Sequence, residues 1–173
     1  MSEVLAPALA KGPLGFLPAS LLEPRRPVRA VLIGWPIAAV PALLLAALVQ
    51  SVFPNAESPQ FAMSGWDAVF LLSVFAPAVE SLIMGVALAV LLWLFPPAIA
   101  IVLSAAGWAV VHSLAAPVWG MVIWWPFLIF STVFVVWRTR GFFAGVGMAT
   151  AVHGLNNLIP ALAVAFAPAL AAA

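Results

Sequence analysis

Five stretches of this sequence run for roughly 20 residues or more with hardly a charge, the length a helix needs to cross a hydrocarbon core. They fall at residues 30–53, 67–95, 98–116, 118–137 and 142–166. Turn-forming punctuation separates them: a polar 54–65 loop with Glu57, the Pro96-Pro97 pair, Pro117, and the run Arg138-Thr139-Arg140-Gly141. With 66% of its 173 residues hydrophobic and 6% charged, the chain is too poor in polar groups to clothe a soluble domain. Lipid is therefore the expected solvent for most of it. The expected fold class is all-α, a polytopic membrane protein of about five transmembrane helices around an intramembrane active-site cavity.

A net charge of +1 gives no basic field for nucleic acid, so no nucleic-acid partner is expected. The absence of Cys removes disulfides, thiolate catalysis and cysteine metal ligands together. Residues 1–27 are expected to form a cytoplasmic or interfacial tail. Pro7, Pro13 and Pro18 cut their apolar stretch, and Arg25-Arg26 follows that stretch instead of preceding it as in a secretory signal. A disordered leader over 1–20 is the plain alternative. Residues 28–66 then supply the first transmembrane helix and an external loop, and 67–173 the functional core. The Ala-rich tail after Pro168 is low-complexity.

Lys and Arg are retained on the cytoplasmic side of short loops. Lys11, Arg25, Arg26 and Arg29 precede the first stretch, and Arg138 and Arg140 lie between the fourth and fifth. With five helices both groups fall on one face, which predicts a cytoplasmic N-terminus and an external C-terminus, in a membrane of the bacterial inner type. Trp66 and Trp119 then mark the outer interface, and Trp93 and Trp137 the inner one.

Three ionisable groups fall deep inside the predicted helices, Glu80 in the second, His112 in the third and His153 in the fifth, while Asp67 sits in or beside the external loop. A charged side chain at bilayer depth costs roughly 2.5–3.5 kcal/mol on insertion scales, so such residues are usually kept for function. Counted from the cytoplasmic ends, they lie ~22, ~21 and ~17 Å deep at a helical rise of about 1.5 Å per residue. Similar depth on three helices is what a site built between helices requires. Asn157 stands four residues after His153 and so shares its helical face, while Asn156 points about 100° away. Trp108 precedes His112 by one turn and could wall a pocket or simply pack.

The order Glu80-Ser81-Leu82-Ile83-Met84-Gly85, then Trp108-Ala109-Val110-Val111-His112, then His153-Gly154-Leu155-Asn156-Asn157 resembles the CPBP family of intramembrane proteases. That family, also called Abi or CAAX-protease-like, includes the type II prenyl-protein endopeptidases, and its pattern is EExxxR, FxxxH and HxxxN or HxxxB. Ala76-Pro77-Ala78-Val79 is similar to its lead-in, and the resemblance covers roughly residues 77–160. Two departures stand out. With Glu80 as the first acid, Ser81 replaces the second and Gly85 the Arg; aligned one step along, Glu80 is the second acid and Val79 the first. The first alignment keeps Pro77 in its usual place.

The resemblance implies a metal-free endopeptidase without cofactor, acting on a membrane-associated peptide or protein. Glu80 would activate water, His112 would hold that water or relay its proton, and His153 with Asn157 would donate to the oxyanion. Trp108 would border the substrate. Three alternatives stand beside this reading. Glu80, His112 and His153 could ligate zinc, though no H-E-x-x-H spacing occurs; the chain could be an inactive relative with a binding or immunity role; or it could be a proton-linked transporter, for which no repeat or second buried acid is present.

Overall fold

Proline's fixed φ and missing N–H suit the first turn of a helix and little else in helical structure. In the computed structural model, which describes residues 9–57 and 59–171, Pro27 opens α1 (Pro27–Val52) and Pro97 opens α3 (Pro97–Ala115). Pro7 and the last two residues lie outside the described part. The other long helices are α2 (Gly65–Leu94), α4 (Gly120–Trp137) and α5 (Phe142–Ala171). All five are long and apolar enough to span a membrane, and no strand occurs among the described residues. The chain is an all-α protein with five membrane-crossing helices. Between α4 and α5 a single 3-10 turn, Arg138–Arg140, runs into Gly141, whose φ of 129° is open to glycine and strained for other residues.

α4 is the centre of the bundle. Each of the other four helices packs against it, and 83% of its apolar window is buried. Phe130, Phe134, Val133 and Ile129 are fully enclosed. Lipid would accept an all-apolar helix at any position, so the central place of α4 rests on the packing of its large side chains against the other four helices. Its two polar residues at the core are absorbed locally. Ser131 Oγ lies 3.0 Å from Ser104 Oγ of α3 and 3.4 Å from Met84 Sδ of α2, and Thr132 donates to the Leu128 carbonyl at 2.7 Å.

Prolines inside helices free carbonyls, which in lipid must find another donor. Pro41, within α1, has no N–H to offer the carbonyl of Ile37 one turn back. Trp125 of α4 supplies the replacement, its indole N–H donating to Ile37 O at 2.7 Å. Trp125 is thereby a pin between α1 and α4, while its neighbour Trp124 is 40% exposed.

Residues 9–22, expected as part of a tail, are packed against this core. Leu9, Leu14, Leu17, Leu21 and Leu22 are all buried. Phe16 stacks on Trp125 with centroids 6.2 Å apart, and Leu21 fills the space beside Gly34 of α1. Only Ala19–Leu22 of the later part is helical, and a run of turns over residues 12–17 folds Leu14 and Leu17 against the core.

Candidate functional site

The second membrane helix is broken where the site begins. α2 is α-helical over Gly65–Phe70, widens into a π turn over Leu71–Phe75, and resumes as α-helix at Ala76–Leu94. Pro77 explains the break: its ring would clash with the carbonyl of Ser73, and it has no N–H to give. The amide of Ala76 reaches instead to Leu71 O, five residues back, and that leaves Leu72 O without its helical donor. Asn157 of α5 takes the place of that donor, its Nδ2 lying 3.2 Å from Leu72 O. Asn156 in turn donates to Asn157 Oδ1 at 3.2 Å.

Close approach of α5 to this turn depends on Gly154. A Cβ there would stand 2.5 Å from Ser73 O, a backbone atom that cannot swing aside. The missing side chain lets α5 lie against the broken backbone, and this sets how closely the two helices pass at His153, the residue before Gly154, and at Glu80, two turns after Ser73.

Glu80 and His153 meet at that place. His153 Nε2 is 3.8 Å from Glu80 Oε2, within ion-pair range and longer than a direct hydrogen bond. The imidazole is 4% exposed and the carboxylate side chain 27%, so the acid faces an opening and the histidine does not. Two rings from α4 hold the imidazole plane. Phe130 stacks on it with centroids 4.4 Å apart, and Phe127 meets it edge-on at 5.3 Å. His153 Nδ1 is buried with no hydrogen-bond partner.

His112 reaches the same neighbourhood through Phe127, whose centroid is 5.3 Å from its own. Its Nδ1 lies 2.9 Å from the Trp108 carbonyl, an acceptor, which assigns the proton to Nδ1 in the neutral ring and leaves Nε2 as a lone-pair acceptor. Trp108 stacks flat on Phe127, with centroids 4.7 Å apart and planes at 13°. Of the residues expected from sequence, Glu80 and His153 are therefore in direct proximity. His112 and Trp108 share the Phe127 ring with His153, and Asn157 is one turn away with its amide turned to Leu72.

The two positions that depart from the family pattern are closed. Ser81 is fully buried and its hydroxyl has no partner. At Gly85 an added Cβ would stand 2.7 Å from the Phe134 ring, so a longer side chain there would displace that ring. Among the described residues no group of three or more His, Cys, Asp and Glu is placed to hold a metal ion.

Phe127, Phe130 and Gly154 shape the site without having been expected in it. Gly154 carried a signal, as a glycine inside a helical stretch between His153 and Asn157. The two phenylalanines carried none, because they stand in a long run of large apolar residues. Comparison with known protein families, curated proteins and solved structures finds no match to this chain.

Proposed function

We propose that this chain is an intramembrane endopeptidase of the CPBP type, acting on a membrane-associated peptide or protein. The observation that carries the reading is the placement of Glu80 against His153, a carboxylate and an imidazole brought together from two membrane-spanning helices, the imidazole held by two rings. The half-open carboxylate can take up a water from the opening it faces. In the reaction Glu80 takes a proton from that water as its oxygen bonds to the substrate carbonyl carbon, then returns the proton to the amine as the C–N bond breaks. His112, with Nε2 free, orients the water. His153 and the second N–H of Asn157 stabilise the oxyanion, and Trp108 with Phe127 borders the scissile segment. Orientation follows from the cations: N-terminus cytoplasmic, C-terminus external.

One observation favours a second reading. Sealed positions at Ser81 and Gly85 leave a single carboxylate and no guanidinium at the site, which suits a protein that binds a peptide on this scaffold without cleaving it. The two readings part at Glu80→Gln. Cleavage of a membrane-associated peptide library by detergent-solubilised protein should fall about 10²-fold or more, with unchanged thermal melts. Equal cleavage by wild type and variant would overturn the protease reading. No cleavage by either, with peptide still bound, would replace it with the binding one.

A further inference from the structure

At the water end of α1, away from the Glu80 site, the chain builds a second feature. A cavity of about 270 Å³ opens between the short helical turn Ala19–Leu22 and the start of α1, lined by Ser20, Glu23, Arg25, Arg26 and Arg29. Glu23 is engaged by Arg25 at 3.7 Å, while among the described residues Arg26 and Arg29 have no ion-pair partner. The Ser20 hydroxyl is buried without a hydrogen-bond partner. No side chain caps α1, and with Pro27 at its first position the amides of Val28 and Arg29 are the helix's unspent donors. Two unpaired guanidinium groups, a spare hydroxyl and an uncapped positive helix end form the donor set a phosphate takes.

What lies next to this cavity decides which phosphate. A second, shallow and open depression of about 560 Å³ shares Arg26 and Arg29 with it and is lined further along α1 by Val28, Leu32 and Ile33. Val28 is 70% exposed and Leu32 58%, on the lipid-facing side of α1. A free phosphate has no use for an apolar trough directly below its binding site, whereas a phospholipid carries its anion and its hydrocarbon in this order and over this span. We infer that the start of α1 binds one anionic phospholipid, its phosphate held by Arg26, Arg29 and Ser20 and an acyl chain lying along Val28, Leu32 and Ile33. The inference is independent of the protease reading and stands or falls without it.

The test uses delipidated full-length protein in a neutral detergent, titrated with phosphatidylglycerol, phosphatidylcholine or inorganic phosphate and followed by intrinsic tryptophan fluorescence and by native mass spectrometry. Phosphatidylglycerol should remain bound where phosphatidylcholine does not. The paired change Arg26→Gln with Arg29→Gln should weaken its binding about 30-fold, at roughly a factor of five per basic residue. Leu32→Gln should weaken the lipid alone, and serves as the second variant if the arginine pair impairs folding. Arg138→Gln with Arg140→Gln, distant in the sequence, should change binding less than about threefold. An equal loss in that control pair would mean diffuse surface charge and overturn the site. Displacement of the lipid by inorganic phosphate alone, or indifference to Leu32→Gln, would overturn the lipid assignment in favour of a small anion.

Discussion

α4 and the seam between α2 and α5 are both interior, yet they are built on opposite rules. α4 has an internal proline of its own, Pro126, but it is filled with large rings, so its contribution is volume. At the seam a π turn, a proline and a glycine thin the packing until backbone meets backbone, and polar groups occupy the room left over. In lipid no hydrophobic force draws helices together, so a helix pair holds either by bulk against bulk or by small residues and hydrogen bonds. This chain uses each in a different place. The side holding the acid is the thin one, because a carboxylate and an imidazole need space and partners that a wall of phenylalanine does not offer.

If that contrast is right, α4 should fail on losing volume and the seam on gaining it. Phe130→Ala removes a fully enclosed ring and the surface on which His153 stacks, and should cost about 3–5 kcal/mol. Thermal or chemical unfolding in detergent measures it, and a loss below about 1 kcal/mol would mean the centre is loosely filled. Gly154→Ala adds one methyl group against Ser73 O and should cost about 1–3 kcal/mol by pushing α5 off the π turn. A variant as stable as wild type, with Glu80 still beside His153, would show that the close approach is incidental. The smallest effect belongs to Asn157→Ala, which leaves Leu72 O unpaired and should cost about 0.6–1.7 kcal/mol, as interhelical hydrogen bonds do in bilayers. Faster amide exchange confined to residues 71–76 would accompany it; unchanged exchange there would detach Asn157 from the turn.

The sequence carried the helices because hydropathy and proline both mark them, and α3 begins at Pro97 where position 98 was expected. It also carried the face shared by His153 and Asn157, since a spacing of four in a helix fixes that geometry. What it did not carry was rotation. Pro77 announces a disturbance in α2 but not whether the backbone will kink or widen, and the answer depends on Asn157 being present on another helix. Packing of residues 9–22 was hidden for a related reason. Pro13 and Pro18 break the periodicity, and the Trp125 ring that Phe16 meets comes from a helix far along the chain.

That packed leading segment has a consequence for how the protein is made. Residues 9–22 leave the ribosome before any helix of the bundle, yet the Trp125 ring on which Phe16 rests belongs to the fourth span. Contact of this stretch with Trp125 must therefore wait until α4 has been inserted, although Leu21 can already meet Gly34 of α1. Completion of that docking is a late event in assembly, since it needs the same Trp125 that donates to the carbonyl Pro41 left free.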